Sequence, residues 1–291
     1  MASLIPHRRM ASCIVISFLS HALTVHTKHS GVSISGLPKR TPLAFAAAIP
    51  YAVQAIRSVL SGTMLPNKIV LYLDTQKFPD GKLPAGLEAL KAESPLLDVR
   101  FDPAEIRSYK KLLPALRDFP EDVIVTIDDD ICYRPDMLYR LVRLHKRLPD
   151  AIIAHRVRRI RPGMPYSEWR KYKWYDFVFK RIHYSRLAMQ TGVGGVLYPP
   201  HSLDETMLDP ERFMALAPTT DDVWFWAAAV SKGTYVVPVP NGHSRAKEVG
   251  KPKEYSLKTI NLKPGDDRNR DALDKILEHY PHIRQRIEDE K

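Results

Sequence analysis

Cysteine is nearly absent from this chain of 291 residues: only Cys13 and Cys132 occur. Two thiols cannot build a disulfide framework and do not have the spacing of a zinc site, so the sequence predicts a reducing compartment and packing roles for both. Long apolar runs are missing too, and a bilayer-spanning helix needs about 20 such residues. The best approach to one, residues 11–19, follows His7, Arg8 and Arg9 in the layout of a weak secretory signal. Ser12 and Ser17 break it and Ser20 and His21 end it, so residues 1–29 read better as a tail or as an extra strand before the domain. Carboxylates are absent before Asp74, against seven Lys and Arg. The 24 Pro and 13 Gly show no period, which excludes collagen and solenoid architectures, and no internal repeat is found.

What remains is an ordinary globular composition, 44% apolar and 26% charged, enough for one large core or two modest ones. The net charge is +11, and its distribution is uneven. Between Arg156 and Arg186 ten Lys or Arg face only Glu168 and Asp176. Such a block is a solvated face or a seat for an acidic acceptor, a polyanion or an anionic membrane leaflet. No helix-turn-helix, zinc-finger or ribonucleoprotein signature accompanies it, so nucleic acid is not an expected partner. The expected location is the cytoplasm, with peripheral contact to the inner membrane through the basic surface.

The periodicities alternate along the chain. Residues 31–35 read as a short strand leading into a loop that carries Lys39 and Arg40. A helix over 42–60 repeats Ile49, Val53, Ile56 and Leu60, and Lys68 to Leu73 is a near-continuous branched run of the kind found in covered parallel strands. Helix, strand, helix and strand follow near 83–92, 97–101, 108–117 and 122–127. A helix from Pro135 presents Leu138, Leu141, Leu144 and Leu148, and a strand at 151–154 succeeds it. A glycine turn at 192–195 feeds another strand; a helix begins at Asp221, a strand spans 234–239, and a terminal helix covers about 270–290. Strands alternating with helices at this spacing predict parallel βαβ units and a Rossmann-type, mostly parallel central sheet with flanking helices. Ligands of such sheets bind outside the carboxyl ends of the strands.

Asp128, Asp129 and Asp130 stand at such an end, directly after Val123 to Ile127. Three adjacent carboxylates repel one another, and a bound cation relieves that cost. Mg²⁺ and Mn²⁺ favour carboxylate and phosphate oxygens, with one or two protein carboxylates completed by a substrate's phosphates. On an extended backbone Asp128 and Asp130 would share one side and Asp129 the other. The alternative is an exposed acidic turn. Lys110 and Lys111 could meet phosphates as point charges, or be solvated lysines on a helix. At Thr219-Thr220-Asp221-Asp222, hydroxyls or Asp221 can cap the helix and Asp222 can act as a general base. His243 is a candidate third metal ligand, set against the many single histidines that ligate nothing. Trp224, Phe225 and Trp226 read as core, with one of them able to stack on a sugar face.

In this order the segments around Lys68 to Leu73, Arg107 to Leu112, Val125 to Asp130, Thr191 to Pro200 and Ala217 to Trp226 resemble a bacterial glycosyltransferase family of GT-A fold found in surface-polysaccharide gene clusters. The likeness covers about residues 30 to 245. It implies Mn²⁺- or Mg²⁺-dependent transfer from a nucleotide sugar, a UDP-sugar by preference, to a saccharide acceptor, for which the basic block leaves an anionic or lipid-linked one as an option. It would set Asp128 near the nucleoside, Asp130 on the metal in a DXD-type motif, and Asp222 beside the acceptor, with Gly194, Gly195 and Trp224 bordering that acceptor. A single domain over 30–291 follows: a nucleotide-binding half to 130, an acceptor half from 131 to 245, and a C-terminal loop and helix over 246–291. Val193 stands where the family pattern has a further glycine, and Ala44 to Ala48 lengthen the first loop. Two other classes compete: a sugar-phosphate nucleotidyltransferase, for which the loop from Ser35 to Arg40 is a faint match, and a non-catalytic binder of anionic glycans or membranes.

Overall fold

The structure is a computed structural model that describes residues 14–19, 49–178, 184–242, 247–248, 262–263 and 266–290. Its strands include β1 (Ile14–Leu19), β2 (Lys68–Asp74), β3 (Leu97–Asp102), β4 (Val123–Asp128), β5 (Ile131–Cys132) and β6 (Ile152–Ala154). Further along come β7 (Val157–Arg159), β8 (Arg170–Lys171), β9 (Ala188–Gln190), β10 (Val196–Tyr198) and β11 (Val236–Pro238). Seven of them form one sheet in the order β11-β6-β10-β4-β1-β2-β3. Strands β3, β2, β1 and β4 run parallel, and β10 is antiparallel to both of its neighbours, β4 and β6. The result is the expected mostly parallel α/β sheet with helices on both faces. A separate three-stranded sheet, β8-β7-β9, stands beside it.

Side-chain alternation explains why the central strands read as unbroken apolar runs. From β2, Ile69, Leu71 and Leu73 enter one core together with Val123, Val125 and Ile127 of β4. Helices α1 (Ile49–Leu60), α2 (Ala85–Glu93) and, past α3 (Leu113–Asp118), α4 (Met137–His145) close that face with Ile56, Leu87 and Leu141. Val70, Tyr72 and Ile124 point the other way, under α5 (Asp221–Lys232), α6 (Arg268–His279) and α7 (Pro281–Glu288). Every residue of α5 from Val223 to Ser231 is buried, and Gly233 ends the helix at φ 97° in the left-handed region.

Several expectations change in detail. The polar-interrupted run near the N-terminus is a strand, and it lies inside the sheet: Ser17 pairs with Val70 of β2 and with Thr126 of β4. The strand expected at 31–35, and Lys39 and Arg40 after it, lie outside the described residues. The helix expected over 108–117 is a 3₁₀ segment, Arg107–Lys111, followed by α3, whose first turn holds Pro114. The terminal helix is two, because Pro281 cannot continue α6 and instead opens α7. No helix among the described residues is long and apolar enough to cross a membrane.

Candidate functional site

Parity along β4 aims Asp128. Ile124 and Thr126 face the α5 side, so Asp128, two residues on, faces it as well. Its side chain is buried at 9% exposure. The chain turns at Asp129 and Asp130 before β5, so the extended alternation assumed for the triplet stops at Asp128. Asp129 is buried and Asp130 partly exposed. Tyr133 fastens this turn: the Asp128 N–H donates to its hydroxyl oxygen at 2.8 Å, and its own N–H donates to Ser58 Oγ of α1 at 2.9 Å. Burial first, then Asp128, pushes the Tyr133 hydroxyl well above the ordinary tyrosine pKa.

Opposite Asp128, the first turn of α5 presents Asp221 and Asp222. The Nζ of Lys111, from the 3₁₀ segment, lies 2.6 Å from Asp221 Oδ2 and 3.3 Å from Asp222 Oδ1. The Gly192 N–H donates to both Asp222 oxygens, at 3.2 and 3.3 Å. A methyl group built on Gly192 would stand 2.7 Å from Lys111 Nζ and 3.0 Å from Asp128 Oδ1. Thus four segments distant in sequence meet at one point: the end of β4, the 3₁₀ segment, the glycine loop and the start of α5. Burial alone would push the Lys111 ammonium down, but Asp221, Asp222 and Asp128 outweigh it and hold the value well above that of an ordinary lysine. Asp222 is raised, by desolvation first, with Lys111 opposing and Asp221 adding to the rise. Side-chain exposure separates the two acids, 8% for Asp221 and 30% for Asp222.

The remaining expected residues fall as follows. Lys111 is committed to carboxylates rather than standing free for a phosphate. Lys110 is also buried; it donates to the Asp102 carbonyl at 2.9 Å and lies 3.8 Å from Asp74, at the ends of β3 and β2. Thr220 occupies the α5 N-cap position without a side-chain cap bond. Trp224 is fully buried, and its indole N–H donates to the Met207 carbonyl at 2.7 Å, so its ring is core and offers no face to a sugar. Gly194 and Gly195 take φ of 104° and 97°, the left-handed values that let the loop double back from β9 into β10. Beside them Tyr133, Arg134, Arg140, His155 and Gly242 line an open groove. His243 lies outside the described residues.

Sequence reasoning missed three supports. Tyr109 is buried, donates to the Ala217 carbonyl at 2.6 Å and stacks on Phe213, which anchors the segment before α5. Gln190 is fully buried and donates to the Asp222 carbonyl at 3.4 Å. Tyr133 is the third. The sequence signal available for each was only a polar or aromatic residue within five positions of a singled-out one.

Among the described residues no three His, Cys, Asp or Glu side chains gather as a ready-made metal site. Asp128 and Asp130 carry oxygen donors of the kind a hard divalent ion takes when a ligand's phosphates complete its shell. The Lys111 ammonium faces the charges of Asp128, Asp221 and Asp222 together.

No protein-family model matches the chain, and no curated protein matches it. Solved structures do. A mannosyltransferase from Pyrobaculum calidifontis, in complex with GDP-Man and Mn²⁺, is similar over 98% of this chain and 77% of its own, with 10% identity and a TM-score of 0.48. A 4-diphosphocytidyl-2C-methyl-D-erythritol synthase is similar over 83% of this chain and 94% of its own, with 12% identity and a TM-score of 0.40.

Proposed function

We propose that the chain is a glycosyltransferase that moves a sugar from a nucleotide sugar, a UDP-sugar by preference, to a saccharide acceptor of surface polysaccharide. One observation carries the reading. At the carboxyl edge of the sheet a buried carboxylate on the nucleotide-binding half, Asp128, and a partly exposed carboxylate on the acceptor half, Asp222, converge on Gly192 and Lys111. With a divalent cation on Asp128, this arrangement would suit a diphosphate leaving group on one side and a hydroxyl nucleophile on the other.

Asp128 and Asp130 would hold a Mn²⁺ or Mg²⁺, which when bound supplies charge stabilisation for the departing nucleoside diphosphate. Asp222, partly exposed and with its pKa raised, accepts the acceptor hydroxyl's proton as that oxygen bonds to the anomeric carbon and the bond to the diphosphate breaks. Direct displacement of this kind inverts the anomeric centre. The glycine loop bounds the acceptor side, where Gly192 lies against Asp222, Asp128 and Lys111.

The test is nucleoside diphosphate release from a panel of nucleotide sugars, with and without Mn²⁺, alongside thermal stabilisation by the same ligands. Metal-dependent release, and loss of the metal-dependent stabilisation in Asp130→Ala, are expected. Pyrophosphate exchange instead of release would favour a nucleotidyltransferase, and absence of any turnover a binding protein.

A further inference from the structure

We infer that Lys111 is a positioning residue: through its ammonium it holds the Asp222 carboxylate toward the acceptor and ties the acceptor helix to the metal strand, and it does not serve as a phosphate contact. The inference deepens the transferase reading and rests on it.

The side chain is 95% buried, so it cannot reach out to a ligand without abandoning its partners. Those partners are unequal. Asp221, the closer at 2.6 Å, is as buried as the lysine; Asp222, at 3.3 Å, keeps nearly a third of its side chain open. Asp221 therefore anchors the ammonium, and the ammonium in turn fixes one oxygen of Asp222. The Gly192 N–H holds the same carboxylate from the loop side, at 3.2 Å to Oδ1 and 3.3 Å to Oδ2. Two donors from two segments leave the carboxylate little freedom to rotate, which is how a base is kept in line with a hydroxyl.

The same ammonium faces Asp128 across Gly192, where a side-chain carbon would intrude on both groups. It is a single cation shared by carboxylates of the β4 end and the α5 start. Lysine suits this place, because its point charge answers several oxygens at once without the planar fork of arginine.

The experiment compares wild type, Lys111→Met and the double variant Lys111→Met/Asp221→Asn on whichever nucleotide sugar the wild type turns over. The double variant removes the charge and its buried counter-charge together, which keeps a folded chain available. A positioning role predicts that the double variant stays folded and keeps its donor KM within about threefold. Its kcat should fall about 100-fold, as expected for a base misplaced by about an ångström. Small alkylammonium ions added to a Lys111→Ala variant, whose truncated side chain leaves room for them, should raise its kcat at least tenfold. A double variant that retains wild-type kcat overturns the inference, and so does one that raises donor KM while leaving kcat alone, which would mark Lys111 as a phosphate contact. A wild-type chain without metal-dependent turnover would instead sink the transferase reading, and this inference with it.

Discussion

Replacing Gly192 by alanine tests the convergence directly, because Gly192 does not adopt a positive φ and the substitution brings no backbone strain. The added methyl would stand 2.7 Å from Lys111 Nζ and 3.0 Å from Asp128 Oδ1, several tenths of an ångström inside ordinary contact. Lys111 cannot retreat freely, since Asp221 and Asp222 hold it at 2.6 and 3.3 Å. The loop must therefore shift, or an ion pair must stretch in a buried place. Overpacking of this kind costs about 1–3 kcal/mol. For a chain of this length that is a fall in Tm of roughly 2–5 °C. Turnover should suffer more, about 100-fold, because a displacement near one ångström spoils the alignment of base and leaving group. The control is Gly86→Ala, in α2, where the nearest atom to the new carbon is Val53 Cγ2 at 3.7 Å. That change should stabilise by about 0.5–1 kcal/mol and leave turnover alone. Urea unfolding and nucleoside diphosphate release measure both quantities. Wild-type stability and turnover in Gly192→Ala would refute the idea that the four segments meet at this point.

Other outcomes follow from named contacts. Asp222→Asn should lower kcat by about 10²–10⁴-fold. Because the folded environment raises the Asp222 pKa, activity should be lost as pH falls through a value above the ordinary ~3.9, and a pH profile of kcat/KM should lack that acid limb once the residue is replaced. Asp118 behaves oppositely: burial raises its pKa, but hydrogen bonds from Arg100, Arg117 and Tyr72 prevail and lower it. It thus stabilises the fold above the unfolded value of ~3.9, and that contribution is lost as pH falls through the lower folded value. Asp118→Asn should cost about 1–3 kcal/mol at pH 7 and progressively less toward pH 2, read by denaturant titration. Trp224→Phe removes the bond to the Met207 carbonyl and part of a fully buried ring, so unfolding should ease by about 2–5 kcal/mol while acceptor KM stays as it was. A raised acceptor KM would return this ring to the binding site.

How far the sequence carried these conclusions depended on whether the signal was local. Strands β2, β3 and β4 and helix α4 were legible because their apolar residues recur at a fixed period. The segments with Lys111, Asp128, Gly192 and Asp222 could each be singled out, yet nothing in the order of residues says that an ammonium will turn to Asp221 and Asp222. That choice is made by β4 parity and by Tyr109, which ties the 3₁₀ segment to the chain just before α5. Periodicity leaves an extended triplet and an acidic turn both open, because it cannot announce a turn closed by a tyrosine hydroxyl three residues beyond it. Trp224 belongs to a run of aromatics whose burial depends on α6 and α7 being laid over them, as its edge contact with Tyr280 shows. The N-terminal run could be read as an extra strand but not as a central one, because Ser17 looks like an interruption in one dimension although its backbone pairs with strands on both sides.

That ladder bears on how the protein matures. Strand β1 pairs on one side with β2 and on the other with β4, partners about 50 and 110 positions further along the chain, and its last residue, Leu19, is paired with Asp128 itself. Closure of the middle of the sheet is thus a long-range event that must await most of the first 128 residues. Until it happens, the strand end carrying the first acidic residue lacks a neighbour on one edge. Recovery of turnover during refolding should track the slowest step of sheet formation rather than the appearance of helix, so catalytic competence and the topological centre of the molecule arrive together.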